Sequence, residues 1–256
     1  MILRRLTTAL RKQDWFTVVI ETLIVMFGVF LGLQVNNWNT EREARERESV
    51  LIAELRSEAV ENAAISRAVG NGLLVGAGSA RRVLALMETD GPPCIDNCWA
   101  VIVDFMHASQ WQQTFASWST YDELRRDGLP HDRRIVEAVE AYQMVNHRAS
   151  RALETPPEYR TLVRRRIPIQ LQDAYWQACY VEDDGFEVYL WPCPTPNGLV
   201  VDPQIVADIL SGDAIKQSLR EWTSIARVLG ETLVGPQQET AARLLQAIDG
   251  KTGDQR

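Results

Sequence analysis

The sequence reads as mainly α: one N-terminal transmembrane helix continuing into a long extramembrane helix, then an irregular helical bundle. Three observations carry that expectation. Residues 15–35, "WFTVVIETLIVMFGVFLGLQV", form an apolar run of the ~20 residues needed to cross a hydrocarbon core of roughly 30 Å. Residues 39–69, "NTEREARERESVLIAELRSEAVENAAISRAV", hold no Pro or Gly and consist largely of strong helix formers. Beyond them, apolar residues recur at helical spacing between Gly and Pro stops. The 256 residues suffice for one or two domains, and 46% hydrophobic content supports a sizeable core. A formal charge of -7, from 27 basic against 34 acidic residues, argues against nucleic acid as a partner, because phosphate binding needs a basic face.

Within the apolar run only Glu21 and Gln34 are strongly polar, and Trp15 and Trp38 flank it where interfacial aromatics belong. A cleaved signal peptide would have a shorter apolar region, roughly 7–15 residues, followed by small residues. Here "QVNNWN" follows, so a retained anchor over 15–36 is expected. Arg4, Arg5, Arg11 and Lys12 precede it, and Arg42, Arg45 and Arg47 follow. That slim margin places the N-terminus, 1–14, in the cytoplasm.

One face of this helix stands out. At about 100° per residue, Gly28 lies about 20° from Glu21, Gly32 about 20° to the other side, and Asn39 returns to roughly the same angle. Glu21, Gly28, Gly32 and Asn39 therefore share a stripe, and the two glycines form a GxxxG of the kind that lets helix backbones approach in lipid. Glu21 sits only about 9 Å along the axis from Trp15. At that depth a carboxylate costs less than the roughly 2.5–3.5 kcal/mol of a charge at mid-bilayer.

The juxtamembrane helix is expected over 37–70, supported by Glu41–Arg45, Glu43–Arg47 and Arg42–Glu46 at i,i+4. Leu51, Leu55, Glu58, Asn62, Ile65 and Val69 follow a heptad imperfectly. The polar Glu58–Asn62 step weakens a zipper and favours a bundle. "GNG" at 70–72 is expected to kink or break the helix. A helical domain then occupies 71–249. "WAVIVDFMHAS" is apolar enough for a core helix. "STYDELRRDGL" opens on the capping candidates Ser119 and Thr120 and ends at Gly128. Ile135, Val139, Tyr142 and either Val145 or Asn146 line one side of the next helix. Pro168 should kink the one after. "DGFEVYLW" has strand character and suggests a small hairpin-like excursion. Helices from Asp202, near 213–234, and from Pro236 to Ile248 complete the domain, before a disordered tail at 250–256.

Cys94, Cys98, Cys179 and Cys193 form an even set, and the local pairs 94–98 and 179–193 are the simplest of three connectivities. Disulfides need an oxidising compartment such as the periplasm. Zinc-ligand spacing fits these cysteines poorly, and free buried thiols are the plain alternative.

Two stretches carry a family resemblance. One is the span and its exit, "VVIETLIVMFGVFLGLQVNNWNTEREARERES", with "QVNNWN" its most specific piece. The other is "FASWSTYDELRRDGLPHDRRIVEAVEAYQ", a T-Y-x-E-L-x-x-x-G-x-L pattern followed by an amphipathic helix. Together they resemble a bacterial family of uncharacterised single-span membrane proteins, a domain of unknown function, over roughly the first 145 residues. The resemblance implies a bitopic inner-membrane protein with a helical outer domain, and no activity, catalytic residue or ligand.

Chemistry-bearing patterns are sparse. His107, His131 and His147 share no i,i+3 or i,i+4 spacing, and no HExxH, GxSxG, P-loop or GxGxxG occurs. His107 is expected as a satisfied core histidine and His131 as exposed. "EDDG" at 182–185 lacks the alternating oxygen ligands of a calcium loop. Asp122, Glu123, Asp183 and Asp184 read as solvated carboxylates. Trp111, Phe115, Trp118 and Tyr121 read as core packing, or as the wall of a groove if one exists. The expectation is a protein with no catalytic site, metal or cofactor. It would act as a membrane-anchored interaction or scaffold protein whose partners are the lipid bilayer and, through the span, a second copy or another membrane protein. A periplasmic ligand-sensing module that signals through a partner is the alternative.

Overall fold

A computed structural model describes residues 15–89, 91–94, 97–113, 116–183 and 186–254. The expected cytoplasmic stretch 1–14 and Phe115 lie outside the described residues. The chain divides into two units, with the division between Ala53 and Glu54.

In the first unit, helix α1 (Trp15–Leu86) begins. From Val19 to Val35 every large apolar side chain is at least 39% exposed. A continuous apolar surface of this kind is unfavourable in water and suits lipid, where a helix satisfies its own backbone. Among the described residues this is the one helix long and apolar enough to cross a membrane. Past the apolar stretch the surface turns polar: Asn39 Nδ2 donates to Glu43 Oε1 at 2.9 Å, and Arg42 pairs with Glu46 at 2.9 Å.

In the second unit, α1 buries Leu55, Ala59, Asn62, Ser66, Val69, Leu73, Ala77, Ala80 and Val83. Steps of three and four lay these on one stripe. The Glu58–Asn62 step that spoiled the heptad has a use. Asn62, 2% exposed, donates to the Ser117 carbonyl at 2.6 Å and accepts from the Ser117 N–H at 3.0 Å. Glu58 Oε1 accepts from the hydroxyls of Ser117 and Ser119 and from the Thr120 N–H. Ser119 and Thr120 therefore do not cap their own helix. Helix α2 (Cys98–Ala108) precedes it, and α3 (Ser119–Arg126) starts at Trp118 with no side-chain cap of its own.

The glycines at 70–72 do not break α1, which continues to Leu86. The expected end at residue 70 is therefore too early. Gly70 is instead a crossing point for α8 (Asp213–Val234). A Cβ on Gly70 would stand 2.8 Å from Leu233 Cβ, and one on Gly230 would stand 3.0 Å from the Gly70 carbonyl oxygen. Two facing glycines let the helices approach where any side chain would collide.

Helix α2 is the centre of the unit. Every residue from Val101 to Ala108 is buried, as expected for a helix with apolar surface all round. Asn97 caps it, accepting from the Ala100 N–H at 3.0 Å. Helix α4 (Arg133–Ala152) is capped by Asp132 and buries Ile135, Val139, Tyr142, Asn146 and Ala149, so Asn146 and not Val145 continues the stripe. Pro168 divides the next segment more completely than a kink: α5 (Glu158–Arg164) ends before it and α6 (Ile169–Ala178) starts after it, with Pro168 as N-cap. Strands β1 (Tyr180–Asp183) and β2 (Phe186–Tyr189) form an antiparallel hairpin with Tyr180 opposite Tyr189. Helix α7 (Pro203–Leu210) is capped by Asp202. Helix α9 (Pro236–Asp254) packs on α4 and α8. It runs past Ile248, so 250–254 is helical and not part of a disordered tail. The single Gly250 costs about 1 kcal/mol in a helix, too little to end it. Arg56 also clasps Asp249 at 2.8 Å.

Candidate functional site

Glu21, Gly28, Gly32 and Asn39 are all exposed on α1. A Cβ added to Gly28 or Gly32 would meet nothing within 4 Å. These glycines differ from Gly70 and Gly230, which are already filled by a neighbouring helix.

The four cysteines form the two local disulfides: Cys94 with Cys98 and Cys179 with Cys193, at Cα separations of 5.1 and 5.2 Å. The second closes the hairpin excursion, and the Leu190 N–H donates to the Cys179 carbonyl beside it at 2.9 Å. Trp111 and Trp118 do not share one wall. Trp111 packs against the main core, whereas Trp118 meets Tyr142 edge-on at 5.2 Å in a second cluster with Ala63 and Ala241. Tyr121 is 6% exposed. Among the described residues no three His, Cys, Asp or Glu side chains gather closely enough to hold a metal ion.

His107 is buried, but only half satisfied. Its Nδ1 lies 3.0 Å from the Val103 carbonyl, and Nε2 has no partner. The carbonyl can only accept, so Nδ1 carries the proton and Nε2 presents a bare lone pair. Tyr175, Tyr189 and Trp191 surround the ring edge-on at 5.4, 5.8 and 6.1 Å. Burial, reinforced by the charge of Arg82, lowers the His107 pKa from 6.5 to about 4. Arg82 is held in turn: it binds Asp104 through both oxygens, the closest contact being 2.6 Å, and lies 4.0 Å over the Trp191 ring.

A polar cluster lies at the C-terminal end of α2. Arg160 Nη1 donates to the Ser109 carbonyl at 2.9 Å. Arg164, one turn further along α5, donates to Ser109 Oγ at 2.9 Å and to Gln110 Oε1 at 3.2 Å, and lies 5.5 Å from the Trp176 ring. Gln110 Nε2 donates to the Tyr175 hydroxyl at 3.0 Å. Gln112 bonds Glu187 and the Tyr189 hydroxyl, and that hydroxyl donates to Glu187 at 2.6 Å. Both arginines are half-buried. Burial lowers the pKa of each, that of Arg164 to about 10 with the charge of Arg160 adding to the effect. Burial likewise pushes the Tyr175 and Tyr189 phenols up.

No motif in the sequence marks these arginines. The i,i+4 spacing of Arg160 and Arg164 was the available signal, but nothing in the sequence ties them to Ser109 some fifty positions earlier.

No family profile, curated protein or solved structure matches this chain.

Proposed function

We propose that the protein is a membrane-anchored interaction protein of the bacterial inner membrane. In this reading residues 15–36 span the bilayer, the N-terminus is cytoplasmic and the helical domain stands in the periplasm. The span pairs with a second copy or another membrane protein through Glu21, Gly28, Gly32 and Asn39. The observation that carries the reading is the open glycine face on an exposed apolar helix. Close backbone approach in lipid relies on van der Waals packing, and small residues make that approach available. Two disulfides support an oxidising compartment for the outer domain. The resemblance of the span and its "QVNNWN" exit to single-span bacterial membrane proteins points the same way.

Affinity purification of the full chain in mild detergent tests this. Gly28→Ile and Gly32→Ile fill the open face without altering charge. They are expected to remove the co-purifying partner or the second copy. An unchanged set of complexes would show that the face is not an interface.

A further inference from the structure

We propose that Arg160 and Arg164 form a binding site for a small oxyanion, a carboxylate or phosphate group, in the helical domain. This site is independent of the membrane face.

The first ground is charge. Among the described residues, neither guanidinium has a carboxylate within ion-pair distance. Some other arginines of this domain do, as where Arg56 holds Asp249, Arg82 holds Asp104 and Arg220 holds Glu88, whereas the exposed Arg67 binds the Gln238 amide. Among the described residues that act on the pair, the one carboxylate is Glu187, which raises the pKa of Arg160 and is itself engaged by Gln112 and Tyr189. Two like charges are thus held one helical turn apart, partly withdrawn from water. An arriving anion relieves that arrangement.

The second ground is the donor inventory. The plain alternative is that both arginines exist to cap α2, since Ser109 is its C-cap residue and cations suit that helix end. Capping uses one N–H of Arg160 and two of Arg164. Each guanidinium has five in a planar fork matched to carboxylate and phosphate oxygens. Most of the recognition capacity is left over after capping.

The third ground is how the pair is held. Ser109 fixes both guanidiniums, and Gln110, itself anchored on the Tyr175 hydroxyl, fixes Arg164 a second time. The hairpin closed by Cys179–Cys193 brings Glu187 and Tyr189 alongside. Preorganised forks lose little freedom when a ligand arrives.

The test is calorimetric titration of the full chain in detergent with inorganic phosphate and, separately, with succinate, at constant ionic strength set by chloride. Saturable binding of either probe is expected. Phosphate alone would define a tetrahedral-anion site, succinate alone a carboxylate site, and both a general oxyanion cradle; each result supports the assignment. Arg160→Gln and Arg164→Gln should each weaken binding about tenfold or more, as loss of charge-assisted hydrogen bonds does. Arg164→Lys keeps the charge and loses the fork, so it should bind more weakly than wild type even if a glutamine variant fails to fold. Absence of saturable binding by wild type with both probes overturns the proposal. So does wild-type affinity in any folded variant.

Discussion

At the scale of single residues, His107 makes the sharpest statement about stability. It is 0% exposed and neutral, with its pKa lowered from 6.5 to about 4. The unfolded chain therefore takes up the proton first as pH falls. The contribution of neutral His107 is complete above about pH 6.5 and is lost as pH drops toward about 4, a total of about 3 kcal/mol at roughly 1.4 kcal/mol per unit. Urea unfolding of wild type and His107→Leu across this window should separate the two. Wild type is expected to lose that much more stability than the variant between neutral and acid pH. Parallel pH profiles would show that His107 is not held neutral. The sequence placed this histidine correctly on an apolar core helix. It could not show the orphaned Nε2, because the enclosing Tyr175, Tyr189 and Trp191 come from segments some seventy or more positions away. Glu58 and Asn62 were legible only in part. Their polarity argued against a zipper, but the chain segment they hold, 117–120, is a tertiary partner that no local pattern names.

At the scale of elements, periodicity identified the helices and mistook some of their joints. Ile135, Val139 and Tyr142 repeat at steps that fix a buried face whatever surrounds them. Pro168 acts through its own covalent geometry, so its disruption was visible, although it separates two helices instead of bending one. Gly70 was misread because glycine has two uses: it ends helices, and it lets them touch. The choice depends on whether another helix crosses there. The distinction is measurable. Gly70→Ala would place a Cβ 2.8 Å from Leu233 Cβ, so it should destabilise the domain by about 1–3 kcal/mol, the usual range for overpacking. Gly28→Ala has open space around it and should leave the unfolding of the helical domain unchanged. Equal effects of the two substitutions in chemical denaturation would contradict the crossing.

At the scale of the whole molecule, the fold class was legible because it rests on bulk properties: an apolar run of spanning length, a helix-forming stretch without breakers, and amphipathic periods. The local cysteine pairing, the simplest of the three connectivities, is the pairing the structure contains. The arginine cluster was not legible, because its parts come from the end of α2, the following loop, α5, α6 and the hairpin. The central claim concerns the face of α1 that the glycines leave open, and cysteine crosslinking in native membranes tests it directly. The four native cysteines are already paired, so introduced thiols report alone. Val25 and Val35 flank the glycine stripe at about 40° on either side, whereas Leu23 and Phe30 lie about 160–180° away. Val25→Cys and Val35→Cys are expected to crosslink, to a second copy or to a partner of distinct mass, while Leu23→Cys and Phe30→Cys do not. Equal crosslinking around the helix, or a maximum at Leu23 and Phe30, would contradict the packing face and the function proposed from it.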